Sequence, residues 1–162
     1  MSATASFLVV WLSGCASAPN QPLSEVQGDG KVIVHYSEEL RGGQPHPVIE
    51  GTINGVRGKF LIDTGASDPV LTMKAIHACG IKLLKETAEV GTIGDRFPTK
   101  LRRAEGKVKI EFGPHVIVTC GNAYVTEGIG SDFWFGLLDY RTLNAAHAII
   151  NIEEKTVTFS FP

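Results

Sequence analysis

A chain of 162 residues has room for one domain and a tail, since single domains cluster near ~100–150 residues. Hydrophobic residues at 43% against 20% charged exclude wholesale disorder, and 15 basic against 17 acidic residues, with no basic run longer than Arg102-Arg103, exclude a binder that neutralises nucleic-acid phosphates. Eighteen glycines, about one residue in nine against an ordinary ~7%, favour a turn-rich β protein, and no stretch reaches the ~18–20 apolar residues of a transmembrane helix.

In chain order the first feature is an apolar stretch, residues 7–12, that ends in small residues, the shape of a secretory leader rather than a folded strand. Leu12-Ser13-Gly14-Cys15 resembles the bacterial lipobox, whose cysteine is acylated and becomes the first mature residue. Residues 1–14 are therefore expected to be a lipoprotein signal peptide, Cys15 the lipidation site, and the Ser/Ala/Pro/Asn/Gln-rich residues 15–30 a tether. No Lys or Arg precedes the apolar run, which is short for such a leader. Lipidation implies a cell-envelope protein held to the membrane by its N-terminal lipid and facing the periplasm. Ala16 and Ser17 carry no acidic sorting signal, which favours the outer membrane in a diderm host. Disulfides persist in that compartment, and Cys79 and Cys120 either pair or, as expected here, stay as two separate buried thiols.

The body, residues 31–162, reads as strands. Residues 31–36 form a strand candidate, followed by a loop containing Gly42-Gly43 and Pro45-His46-Pro47. Residues 48–53 meet Asn54-Gly55, a strong hairpin signal, and return as 59–62. After Asp63-Thr64-Gly65, residues 71–79 suit two helical turns ending at Gly80. Residues 90–100, with Gly91 and Gly94, suit a mobile hairpin. Residues 107–112 alternate, turn at Gly113-Pro114-His115 and run back through 116–120. A second short helix is expected at 140–147, then strands at 148–152 and 156–161. The reading is an all-β domain with one or two short helices.

The chemistry concentrates in Phe60-Leu61-Ile62-Asp63-Thr64-Gly65-Ala66-Ser67, where an apolar strand delivers a carboxylate and a glycine two residues on lets the backbone turn beneath it. Downstream, Phe133-Trp134-Phe135-Gly136-Leu137-Leu138 is an apolar run broken by a glycine. Together these resemble the retropepsin-like aspartic proteases, the single-lobe family that includes retroviral proteases, over residues 31–161. The resemblance implies an acid-protease closed β-barrel, with Asp63 as the catalytic carboxylate, Thr64 bonding across a dimer axis and Gly65 presenting its N–H. It implies that Ala66, Ser67 and Asp68 border the substrate main chain and that Ile93 and Gly94 lie near a flap tip. Leu137-Leu138-Asp139 is one residue longer than the family's Gly-x-Asp spacing, so Asp139 receives no catalytic role.

One Asp-Thr-Gly cannot supply the two carboxylates the reaction needs, so the resemblance implies a homodimer acting on a polypeptide substrate with no cofactor. His35, His46, His77, His115 and His147 lack the i, i+4 pairing of a zinc helix, and no metal is expected. The leading expectation is a membrane-anchored aspartic endopeptidase of envelope or periplasmic proteins. The alternative keeps the fold without the chemistry, as a lipoprotein binding peptides or an envelope partner; a purely structural envelope lipoprotein is a third. The terminal strand 156–161, with Val157, Phe159 and Phe161 on one face, is expected at the subunit interface.

Overall fold

The computed structural model describes residues 24–90, 99–121, 123–127 and 133–162. Strands β1 (Ser24–Gln27), β2 (Lys31–Arg41), β3 (Gln44–Ile53), β4 (Val56–Asp63) and β5 (Val70–Thr72) precede helix α1 (Met73–Cys79). Then come β6 (Leu83–Val90), β7 (Thr99–Ala104), β8 (Lys107–Phe112), β9 (Val116–Gly121), β10 (Tyr124–Thr126) and β11 (Gly136–Asp139). Helix α2 (Tyr140–Ala145) and strands β12 (Ile149–Asn151) and β13 (Thr156–Ser160) complete the chain. The all-β architecture with two short helices is the one expected.

Neighbouring strands run β1-β9-β8-β3-β4-β11-β5-β10-β7-β6, and β2 leaves this path at β3 to continue through β13 to β12. Among the described residues no pairing joins β1 to β6, so the strands form an open, branched path rather than the closed barrel expected. The branch has a local cause. One edge of β3 serves two strands, β2 along residues 44–49 and β8 at Thr52 and Ile53.

Two hairpins set this register. Asn54 (φ 51) and Gly55 (φ 76) both take the left-handed conformation of a two-residue turn, closing β3 onto β4 as the sequence foretold. Gly42 (φ 56) and Gly43 (φ 79) do the same between β2 and β3, where a loop was expected through Pro45-His46-Pro47. A two-residue turn makes Arg41 and Gln44 a hydrogen-bonded pair, so Pro45 and Pro47 fall on the alternate, non-bonded positions facing away from β2. The pairing of β3 with β4 begins only at Val48, so the missing proline N–H groups interrupt no ladder. Ser24–Gln27, inside the stretch expected as a tether, pairs antiparallel with β9. At the other helix, residues 71–72 belong to β5, and Thr72 caps α1 by accepting from the Ala75 N–H.

A run of phenylalanines joins the layers. Phe159 stacks on Phe112 at 6.5 Å, Phe112 meets Phe60 edge-on at 5.2 Å, and Phe60 meets Phe135 edge-on at 6.3 Å. All four rings are buried. The terminal strand β13 is paired within its own chain on both edges, by β12 and β2, and Val157 and Phe159 are fully buried. Phe161 packs over Gly28, where a Cβ would stand 2.1 Å from its ring. The expectation that this strand faces a second subunit is therefore corrected: its aromatic face fills the core of its own chain. Cys79 and Cys120 are separate buried thiols, as expected, and burial pushes the Cys120 thiol up to about 12.

Phe159→Ala should accordingly cost about 3–5 kcal/mol of folding stability, by loss of transfer energy plus the cavity left behind. Denaturant unfolding of the full chain checks this, and an unchanged midpoint would place Phe159 outside the core.

Candidate functional site

Strand β4 is an inner strand, antiparallel to β3 on one edge and parallel to β11 on the other. Its apolar residues Phe60 and Ile62 point into the core, and its last residue, Asp63, emerges half-buried at the end of the strand. There the chain turns sharply: the Ala66 N–H donates to the Asp63 carbonyl at 3.2 Å, and the Gly65 N–H donates to Asp63 Oδ1 at 2.9 Å. The carboxylate is thus fixed by the loop that follows it. Thr64 is exposed at the apex, Gly65 and Ser67 are half-buried, and Ala66 and Asp68 are buried.

The neighbouring strand arrives by a close approach. A Cβ on Gly136 would lie 2.4 Å from the Val70 carbonyl oxygen, so only glycine lets β11 slot between β4 and β5. Register then sets Leu137 opposite Leu61, Leu138 opposite Ile62 and Asp139 opposite Asp63. Thr72 secures the approach by donating from Oγ1 to the Trp134 carbonyl at 2.6 Å.

Helix α2 starts at this point and ties down the Asp63 loop. The Tyr140 N–H donates to the Ala66 carbonyl at 2.9 Å. Arg141 Nη1 donates to Asp68 Oδ1 at 2.9 Å, and Ser67 Oγ donates to Asp68 Oδ2 at 2.8 Å. Asp68 is 3% exposed, so its charge is met by these partners rather than by water. Asp139 is fully buried and caps α2: Oδ1 accepts from the Thr142 N–H at 3.1 Å and Oδ2 from the Thr142 hydroxyl at 2.6 Å. Burial pushes the Asp139 carboxyl above the ordinary range and nearby Asp68 adds to the rise, against the opposing pull of the two Thr142 bonds.

Of the residues singled out from sequence, Asp63, Thr64, Gly65, Ala66, Ser67 and Asp68 come together in one loop. Ile93 and Gly94 lie outside the described residues, between β6 and β7, whose antiparallel register closes at Val90 and Thr99. Cys15 also lies outside them. Sequence reasoning passed over Tyr140, Arg141 and Thr142, and it left Asp139 without a role. The helix start at Tyr140 was expected, but the role of Asp139 as its N-cap was not, although an Asp immediately before a helix, with Thr142 three residues on, is an N-cap signal. A cavity of about 390 Å³ lined by Arg41, Arg57, Lys59, Lys74 and Phe133, among others, holds none of the loop residues. Trp134 and Phe135 are buried core, whereas Phe133, which the apolar run had suggested would be core too, is 49% exposed and lies 3.0 Å beneath the Arg41 guanidinium.

The sequence model of the family described as "Aspartyl protease" matches residues 49–138, which includes β4, the Asp63 loop and most of β11. The solved structure of a retropepsin-like aspartic protease from Rickettsia conorii is similar, with 22% identity, a TM-score of 0.50, and coverage of 88% of this chain and 98% of that one. The retroviral protease-like domain of Ddi1 from Leishmania major matches at 14% identity and TM-score 0.50, over 69% of this chain and 86% of that one. Both place the fold as retropepsin-like. No curated protein sequence matches the chain.

The raised Asp139 carboxyl fixes a sign. A carboxyl held up in the folded state stabilises the fold below the ordinary carboxylate range, and that contribution is lost as pH rises through the raised value. Asp139→Asn keeps both Thr142 partners and cannot ionise, so wild-type stability should decline relative to the variant from about pH 4 upward. Thermal melts of both proteins across that range decide it; a gap that stays constant or opens the other way contradicts the assignment.

Proposed function

Because the chain belongs to the aspartyl protease family, we propose that it is an aspartic endopeptidase in which Asp63 and the Asp63 of a second copy act on one water molecule. The observation that carries this reading is the half-buried Asp63 carboxylate, delivered by an inner strand and fixed by the Gly65 N–H in a loop with few degrees of freedom. Peptide hydrolysis by this class needs one ionised and one protonated carboxyl. Two such groups about 3 Å apart cannot both ionise, so their apparent pKa values separate and the pair holds one proton. The sequence has a single Asp-Thr-Gly, and a two-fold homodimer supplies its counterpart.

In this reading Thr64, exposed at the loop apex, bonds across the axis and stiffens the pair. Gly65 orients the carboxylate. Ala66, Ser67 and Asp68 border the substrate's main chain, with Asp68 contributing through its backbone, since both its carboxylate oxygens are engaged. The substrate is an extended polypeptide, and the enzyme needs no cofactor. Lipidation at Cys15 anchors it in the envelope facing the periplasm, with the outer membrane favoured, and tethering in a plane raises the effective concentration that dimerisation requires.

Asp63→Asn should abolish cleavage of a peptide library by the full chain while leaving the fold and the dimer intact, because an amide cannot serve as the ionised partner. Wild-type activity should peak at mildly acidic pH and fall as the shared proton leaves the pair. Near-normal cleavage by the variant, or a rate still climbing into alkaline pH, would contradict the mechanism. A folded wild-type dimer that binds peptides without cutting them would favour the binding lipoprotein instead. For the anchor, Cys15→Ser should move the protein out of the membrane fraction and abolish a mass increase at that residue. Wild type found soluble and unmodified would remove the lipid from the account.

A further inference from the structure

Asp139 is the residue of this region whose chemistry the dyad does not use. It lies opposite Asp63 in the parallel register of β11 and β4, yet it is fully buried, with no surface open to solvent. Its two carboxyl oxygens are spent on Thr142, one on the N–H and one on the hydroxyl. Those bonds set where α2 begins. The first two residues of α2 are the ones that hold the Asp63 loop, Tyr140 through its N–H on the Ala66 carbonyl and Arg141 through its guanidinium on Asp68. A helix of six residues has little cooperativity of its own, so its start depends on the cap.

We propose that Asp139 is a positioning residue for the reacting carboxylate: its side chain fixes the first turn of α2, and that turn fixes the loop in which Asp63 is aimed. The inference rests on the reading of Asp63 as the reacting group. It predicts two separable consequences of losing the cap. The loop loosens, because the Tyr140 N–H loses its fixed direction toward Ala66. The chemical step then slows more than binding does, because substrate contacts made elsewhere survive while the carboxylate is misaimed.

The groups facing Asp139 make the conservative variant informative. Asp68 lies on the loop, Cys120 on β9, and the Thr142 hydroxyl on α2 itself, with Arg141 already bound to Asp68. Among the described residues Asp139 forms no ion pair, and both of its bonds to Thr142 are of a kind that a neutral side chain also makes, so its work does not need a negative charge. An asparagine accepts from the Thr142 N–H with its carbonyl and donates to the Thr142 oxygen with its amide. Capping by Asn is as good as by Asp.

The test uses the full chain with Asp139→Ala, Asp139→Asn and, as a second capping variant, Asp139→Ser. On a peptide that wild type cleaves, Asp139→Ala should lose about tenfold to a hundredfold in kcat with KM within about twofold, and its pH profile should shift because the Asp63 pair is displaced. Asp139→Asn should restore kcat, KM and profile, and Asp139→Ser should restore most of kcat. Amide exchange followed by NMR gives a readout independent of cleavage: the Tyr140 N–H should exchange faster in the Ala variant and at the wild-type rate in the Asn variant. Wild-type kcat and an equally protected Tyr140 amide in Asp139→Ala would overturn the inference. So would an Asn variant as slow as Ala with its Tyr140 amide still protected, since charge rather than capping would then be at work. Should wild type cleave nothing, the protease reading fails by itself, and the exchange rates alone still decide whether Asp139 holds the loop.

Discussion

The close packing of β11 between β4 and β5 is the constraint on which the site depends. At Gly136 the backbone of one strand lies against the Val70 carbonyl with no space for a side chain. That approach allows β11 to run parallel to β4, and the parallel register brings Asp139 level with Asp63. Chain direction does the rest. Since β11 leads straight into α2, the start of the helix is delivered to the loop that follows β4, and loop and helix secure each other through Ala66 and Asp68. A side chain at residue 136 would act on the site without touching it.

Stability and site geometry are joined through the same elements. Phe135, next to the tight glycine, ends the run of rings that reaches Phe159 in the terminal strand. Its ring also covers Gly58 on β4, where a Cβ would stand 2.2 Å away. The segment that positions Asp63 is therefore pinned from the core side by aromatic packing and from the loop side by hydrogen bonds. Burial of apolar rings is non-directional, whereas the Tyr140, Arg141 and Gly65 bonds are directional; the first holds the strands together and the second aims the carboxylate.

What the sequence made legible was local. Asn54-Gly55 announced its hairpin because both residues tolerate positive φ, and Asp63-Thr64-Gly65 announced its turn because strand, carboxylate and glycine are contiguous. The residues that support Asp63 were harder to see because they lie over seventy positions downstream, and a spacing mismatch drew attention away from Asp139. Its N-cap pattern was readable, but the loop it serves is set by tertiary pairing. The Pro45-His46-Pro47 stretch misled for a physical reason: prolines break a strand only where their N–H is needed, and the alternation of the ladder spares both positions. The terminal strand misled in another way. Its aromatic face reads as an unpaired edge until β2 and β12 are known to flank it.

The central claim is that one reacting site is built from the Asp63 residues of two copies, and a subunit-mixing measurement tests it most directly. Wild-type full chain is equilibrated with increasing amounts of the Asp63→Asn variant, and cleavage of a fixed peptide is followed. Mixed dimers carry one ionisable carboxyl where two are needed, so activity per wild-type chain should fall progressively as the variant is added. Activity that tracks wild-type concentration alone, indifferent to a large excess of variant shown to exchange into the dimer, would mean that each chain works by itself and would contradict the account.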